Sequence, residues 1–171
     1  VNFVRPYAAH RAANVQGTRE ALRLACTARL KPVHFVSTLS VFHTGAHADG
    51  RVFREDDDLD SVGVPFGGYA QSKWVAEKLM REAARRGVPV SVYRPGLVSG
   101  HSGSGAWNKA DLISTLARAC VALGAVPDLD MMVNIVPVNF VSRAIVELSR
   151  RPDSVGKTFH LDNPTPMPYQ Q

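Results

Sequence analysis

Cysteine is scarce in this 171-residue chain, and two isolated residues cannot build a disulfide scaffold. Cys26 and Cys120 each fall within a helical pattern and read as small core residues, which suits a reducing cytoplasm. Long apolar runs are missing as well. None approaches the ~20 residues that a membrane-spanning helix needs, and the first residues carry no secretory pattern. No membrane association is expected. Nor does any repeat or linker divide the chain, so its length and 45% hydrophobic content suit one domain with a sizeable core. Negative charge is the scarcer sign: 15 Asp and Glu face 20 Lys and Arg, for a net +5. An acidic protein partner, a phosphorylated cofactor or a nucleic acid would each match that balance. No helix-turn-helix, zinc-finger or RNA-binding signature is present, so no nucleic-acid partner is expected.

Metal-ligand spacing is absent too. Glu55-Asp56-Asp57-Asp58 and Asp60 lack the turn glycine of a calcium loop and read as a solvated acidic loop. His43, His47 and His101 have no ligand spacing with one another.

Alternating strands and helices are what the chain does have. Ala12 to Ala28 is predicted helical, with Val15, Leu22 and Ala25 on one side, and Gly17 within it implies close packing against a neighbour. Val33-His-Phe-Val-Ser37-Thr38 reads as a buried strand ending in two hydroxyls. His43 to Gly68 is polar and mostly loop. Tyr69 to Arg86 is a helix closed by Gly87. Trp74, Val75, Leu79, Met80 and Ala83 are expected inward, and Glu77, Lys78, Arg81, Glu82, Arg85 and Arg86 outward. Val88 to Tyr93 is the next strand and runs into Arg94-Pro95-Gly96. After a loop at Gly100 to Gly105 come an amphipathic helix from Asp111 to Leu123 and a short apolar segment, Asn134 to Val138. A helix from Phe140 to Arg150 follows, capped by Asn139. Thr158 to Leu161 is a last strand, and the proline-rich tail from Asp162 is extended. This order predicts an α/β fold, a doubly wound parallel sheet of Rossmann-like type. Ligands in such sheets bind at the carboxyl ends of the strands, where Thr38 and Pro95-Gly96 fall.

Tyr69 and Lys73 give that rim its chemistry. Positions i and i+4 share one helix face, so the Lys73 ammonium is expected to stand near the Tyr69 phenol and lower its pKa. Tyr69 then serves as a proton donor, while Lys73 keeps N–H donors for ribose hydroxyls. The Thr38 hydroxyl holds a substrate oxygen from the other side. Alone, Tyr-x-x-x-Lys is a weak signal; between a hydroxyl-ended strand and a strand ending in Pro-Gly it gains weight.

No glycine-rich phosphate-binding turn follows any strand. Gly103-Ser-Gly105 lacks both the strand and the third glycine. Two readings remain: residues 1–171 are the carboxyl-terminal part of a dinucleotide-binding domain whose glycine-motif strands lie elsewhere, or a relative that no longer binds a dinucleotide. The intact catalytic group favours the first.

The chain resembles the extended short-chain dehydrogenase/reductase superfamily, and within it the thioester reductase domains of peptide and polyketide synthetases and carboxylic acid reductases. The resemblance runs from Val1 to about Pro164. It rests on Val36-Ser37-Thr38-Leu39-Ser40-Val41, on Gly68-Tyr69-Ala-Gln-Ser-Lys73-Trp74-Val-Ala-Glu77-Lys78-Leu79, on Tyr93-Arg94-Pro95-Gly96, and on Gly105-Ala106-Trp107-Asn108. Asn134, Asn139 and His101 stand where acidic residues are usual. The resemblance implies NADPH (NADP) as cofactor and Thr38, Tyr69 and Lys73 as catalytic residues. It places Ser37, Pro95, Gly96 and Val98, with Tyr69 and Lys73, around the nicotinamide, and has Asn14 ordering the strand ends. The implied reaction reduces an acyl or peptidyl thioester, held on the phosphopantetheine of a carrier protein, to an aldehyde or alcohol. Lys78, Arg81, Arg85 and Arg86 are candidates for docking that acidic carrier. A nucleotide-sugar epimerase or dehydratase uses a similar Tyr and Lys, and a non-catalytic binding module derived from a reductase is a third reading.

Overall fold

The computed structural model describes residues 3–44, 52–130 and 132–169. Its centre is a three-stranded parallel sheet in the order β1-β2-β6, formed by β1 (Val33–Val36), β2 (Val90–Pro95) and β6 (Thr158–Leu161). Val33 pairs with Val90 and Val36 with Tyr93, so the two strands end side by side. On the other side of β2, Val92 pairs with Thr158 and Pro95 with Leu161. Two smaller ladders flank this sheet. β3 (Leu97–Ser99) runs parallel to β5 (Ile135–Pro137), and β4 (Met132–Val133) antiparallel to β7 (Met167–Pro168).

Every residue of β2 is buried, as a central strand covered on both faces requires. Alternation divides its side chains between two cores. Val90 and Val92 pack with Met80 on one face; Tyr93 packs with Val136, Val141 and Leu161 on the other. The first core is covered by α4 (Gly68–Arg85) and by Leu22 of α2 (Gly17–Cys26). The second is covered by α6 (Val138–Ser149) through Val141, Ala144, Ile145 and Leu148. Helices on both faces make the sheet doubly wound.

The elements depart from expectation in several places. The first helix begins earlier, at α1 (Tyr7–His10), and continues through a π-helical stretch, Arg11–Gln16, into α2. Its end at Cys26 leaves that cysteine exposed, and Cys120 is only half-buried, so neither is a core residue; both are free. Gly17 abuts nothing closely: a Cβ there would meet only the Ala12 carbonyl oxygen, at 4.0 Å. The close approach is at Gly68, where a Cβ would lie 2.3 Å from the Tyr7 nitrogen and 2.5 Å from the Arg5 oxygen. That contact is backbone on backbone, so only glycine lets α4 start against α1.

β1 is half-buried, with Val36 44% exposed, because the strand lies at the sheet edge. The loop after it holds a 3₁₀ turn, Leu39–Phe42, and a short helix, α3 (Leu59–Val62). These build a third core of Val41, Phe42, Leu59 and Val62. His47 lies outside the described residues. Gly87, at φ +93°, follows the end of α4.

Asn139 does not cap α6. The helix starts two residues earlier than expected, at Val138, with Pro137 at its N-cap. Asn139 instead accepts from the Ser102 backbone N–H at 2.9 Å and donates to the Ser102 hydroxyl at 3.0 Å, holding the loop between β3 and α5 (Leu112–Leu123). Asp111 is a true N-cap, accepting from the Ser114 N–H at 2.7 Å.

Candidate active site

A cleft of about 540 Å³ opens beyond the carboxyl ends of β1 and β2. Ser37 and Thr38 form one wall, Tyr69 and Lys73 of α4 a second, and Pro95, Gly96 and Val98 a third. The catalytic and cofactor-side residues singled out in the sequence therefore all meet in one place. Leu39, Leu112 and Ile113 add an apolar end, and Asn134 closes the cleft near Gly96.

Backbone geometry explains this convergence. Strand β1 ends at Val36, and Thr38 turns the chain into the 3₁₀ segment, its hydroxyl accepting from the Ser40 N–H at 3.2 Å. That leaves Thr38 facing the amino-terminal turn of α4, with Tyr69 on the opposite wall of the cleft, while the Thr38 hydroxyl donates to Ser40 Oγ at 3.1 Å. Phe3 and His10 pack edge-on against the Tyr69 ring, with centroids at 5.2 and 6.1 Å. Asn14, in the π-helical stretch, donates to the Ser72 hydroxyl at 2.8 Å, and Ser72 donates to the Tyr69 carbonyl at 2.7 Å. Asn14 thus tethers α4 at Ser72 rather than the strand ends. Irregular π turns often occur at functional positions, and nothing in the residue pattern marks this one.

Lys73 does not act on Tyr69 as expected. Its ammonium donates to the Val36 carbonyl at 2.6 Å and sits 4.5 Å from the centre of the Phe35 ring. Burial raises the Tyr69 pKa above the ordinary 10.0, and the polar Thr38 side chain offsets only part of the rise. The phenol is therefore protonated at neutral pH, as a proton donor must be. Burial likewise pulls Lys73 below its ordinary 10.5, while the nearby negative charge of Glu77 pushes it back up.

Glu77 is the residue that helical patterning misplaces. It is 0% exposed, not outward. Its partner is Arg94, also 0% exposed, which donates from Nε at 3.1 and 3.2 Å and from Nη2 at 2.5 Å. Ser37, just beyond the end of β1, donates its hydroxyl to the same carboxylate at 2.6 Å, and Arg81 adds a contact at 3.3 Å. Ser37 thus lines the cleft with its hydroxyl already engaged. Arg94 Nη1 lies 3.0 Å from His160 Nε2. Because arginine only donates, Nε2 must be the acceptor, so this His160 is neutral. Burial, then the Arg94 charge, holds its pKa below 6.5, against the upward pull of Glu55, Asp162 and Glu77. The sequence does carry a signal for Glu77: it continues the i, i+4, i+8 stripe begun by Tyr69 and Lys73.

The candidate docking residues are all paired. Lys78 bridges to Asp60 and lies over the Trp74 ring, Arg81 meets Glu77, and Arg85 and Arg86 share Glu82 at 2.5 and 2.8 Å. Asp60, Glu77 and Glu82 are the carboxylates that meet these cations, Glu82 is shared by Arg85 and Arg86, and Glu77 also serves Arg94, so the helix face keeps an excess of positive charge. A larger recess of about 790 Å³ beside it mixes Glu55, Asp58 and Asp60 with Lys78, Arg85 and Lys157, and contains none of the cleft residues. Among the described residues no group of three or more His, Cys, Asp or Glu is placed to hold a metal, and no helix is long and apolar enough to cross a membrane.

The donor set of the cleft fits the nicotinamide-ribose end of a dinucleotide. Lys73 spends one N–H on Val36 and retains others for hydroxyls. Gly96 presents backbone with no Cβ, beside Asn134. Asn134 itself is fixed by a two-way pairing with the Asn163 backbone, at 2.7 and 2.8 Å. His101 accepts from the Gly103 and Ser104 N–H groups and so closes its own turn.

Comparison with known proteins agrees with this geometry. Residues 1–145 match the model of an NAD-binding family described as male sterility protein. A linear gramicidin synthase of Brevibacillus parabrevis is 43% identical over 169 residues, covering 99% of this chain and 3% of that protein. Glycine betaine reductase ATRR of Emericella nidulans is 46% identical over 171 residues, covering 98% of this chain and 13% of that protein. The crystal structure of the terminal R domain from the myxalamid PKS-NRPS biosynthetic pathway superposes with a TM-score of 0.92 at 52% identity, covering 99% of this chain and 43% of that one. The chain thus spans less than half the length of each of these proteins. It belongs to the male sterility protein family of NAD-binding domains, in the branch of synthetase terminal reductase domains.

Proposed function

We propose that this chain supplies the catalytic half of an NADPH-dependent reductase acting on an acyl or peptidyl thioester carried by the phosphopantetheine of a carrier protein. The observation that carries this reading is that Thr38, Tyr69 and Lys73 line one cleft at the carboxyl ends of parallel strands. Ser37, Pro95, Gly96 and Val98 flank the nicotinamide, and Lys73 takes the ribose hydroxyls. Bound there, NADPH supplies the hydride. Thr38 and Tyr69 direct their hydroxyls at the thioester carbonyl oxygen and hold the charge that develops on it. Tyr69 then passes its proton to that oxygen, giving a hemithioacetal. Breaking its C–S bond releases the carrier thiol and an aldehyde. The apolar end formed by Leu39, Leu112 and Ile113 receives the acyl chain. Two free cysteines suit the reducing cytoplasm in which such synthesis proceeds.

The test uses the intact protein with a carrier-bound thioester, following NADPH oxidation, aldehyde and free thiol together, with NADH in a parallel arm. One NADPH consumed per aldehyde and thiol released supports the reading, and faster turnover with NADPH than with NADH supports the cofactor assignment. Thiol release without NADPH oxidation would overturn it.

A further inference from the structure

The carboxylate of Glu77 has more partners than a simple ion pair needs. It accepts from Ser37 at the end of β1, from Arg94 on β2 and from Arg81 on its own helix. Each partner on the sheet adjoins a wall of the cleft. Ser37 lies between Val36, whose carbonyl holds Lys73, and Thr38, which shares the cleft with Tyr69. Arg94 leads directly into Pro95 and Gly96. Glu77 itself stands one and two helical turns from Lys73 and Tyr69 on the same face of α4.

From this we infer that Glu77 is a positioning residue of the reductase: through Ser37 and Arg94 it sets the spacing between α4 and the ends of β1 and β2, and so the placement of Tyr69 and Lys73 against Thr38. The inference rests on the functional reading above. Directional, charge-assisted hydrogen bonds fix distance and angle in a way that apolar contact cannot. A buried ion pair, by contrast, is often no more stabilising than well-packed apolar side chains. Stability alone therefore gives little reason for a carboxylate here, whereas geometry gives one. Displacing a catalytic group by ~1 Å costs about 10²-fold in rate, so the effect belongs on turnover.

The decisive variant is the double substitution Glu77→Leu with Arg94→Met in the intact protein. It removes both charges together, leaves no buried ion unpaired, and separates folding from positioning. The expected result is a folded protein with KM for thioester and NADPH within about threefold of wild type and kcat lowered about 10- to 100-fold, the signature of a loss confined to the transition state. Wild-type kcat per folded molecule would make Glu77 a structural pair only and overturn the inference. Should the double variant not fold, Arg94→Lys carries the test, because it keeps the buried charge and removes the two-pronged hydrogen bonding that ties Glu77 to β2. It is expected to lower kcat at least about fivefold with KM for NADPH unchanged, and an unchanged kcat overturns the inference. A wild-type protein that consumes no NADPH with a thioester would overturn the functional reading and this inference with it. An active wild type with unaffected variants would overturn the inference alone.

Discussion

Two regions of this chain bury their side chains very differently. Around β1, α4 and β2, polar and charged groups lie inside: Ser37, Thr38, Ser72, Glu77, Ser91 and Arg94 are all buried. Along α5 the pattern reverses. Helix α5 buries none of its residues, and Leu112, Leu116, Val121 and Leu123 are exposed along it. The first region spends polar groups to fix geometry, and each of these finds a partner. Helix α5 is held instead by the Asp111 cap and by a loop that Asn139 ties down through Ser102. A reaction centre needs placement to within a fraction of an ångström, and the cleft draws its candidate catalytic groups from the first region, taking only apolar lining from α5.

The sharpest way to break this contrast is to unpair the buried charges. Arg94→Met alone leaves Glu77 buried without its main partner and should cost about 3–5 kcal/mol of stability, read by chemical denaturation. Restoring most of that loss by adding Glu77→Leu would identify the orphaned charge as the cause. A cost under about 1 kcal/mol for Arg94→Met would mean that water or Arg81 satisfies Glu77 unaided.

Gly68→Ala ranks next. A Cβ at 2.3 Å from the Tyr7 backbone forces α4 away from α1, a steric conflict of about 1–3 kcal/mol. Turnover should fall with stability, because Tyr69 is the next residue. A fully active Gly68→Ala would show that the two helices separate without moving the phenol.

Acid should loosen the same region. His160 has a folded pKa below its ordinary 6.5. In the unfolded chain it binds a proton near 6.5, whereas in the folded chain it stays neutral and accepts from Arg94. Stability from this group is therefore complete above pH 6.5 and is lost as the pH falls through the folded value. A pH series of denaturation midpoints should show the loss, and His160→Gln should flatten it over that window. An unchanged slope in His160→Gln would assign the effect to another group, such as Glu55, whose own pKa is lowered.

Val121→Ser on α5 should change least. The side chain is 83% exposed, and exposed substitutions usually stay within about 0.5 kcal/mol. A cost above about 1 kcal/mol in the intact protein would show that this apolar face is covered there.

The same contrast explains how much of the molecule is legible from its residues. Tyr69, Lys73 and Thr38 are legible because helix periodicity and strand ends follow from local pattern, and because Gly87 marks where α4 stops. The doubly wound sheet is legible from the alternation of elements. Glu77 shows its place on the Tyr69–Lys73 stripe but not its burial, because a carboxylate among Lys78, Arg81 and Glu82 looks solvated; the burial depends on Arg94, which reaches it from β2. The direction of the Tyr69 pKa escapes for a related reason. Spacing puts Lys73 on the same face, but does not disclose the Val36 carbonyl that draws its ammonium away. The π-helical turn at Asn14 and the close approach at Gly68 are tertiary facts with no local signature. Asn139 has the chemistry of a cap and is used for a loop.

The central claim is that Tyr69 donates the proton that completes hydride transfer to a thioester carbonyl. Single-turnover reduction of a carrier-bound thioester by the intact protein, wild type against Tyr69→Phe, tests it most directly. Loss of an oxyanion donor of this kind costs about 10²–10³ in rate, so Tyr69→Phe should be slower by that factor while binding NADPH normally. Thr38→Val, which leaves the phenol in place, should lose less. A Tyr69→Phe protein that reduces the thioester at a near-normal rate would contradict the account.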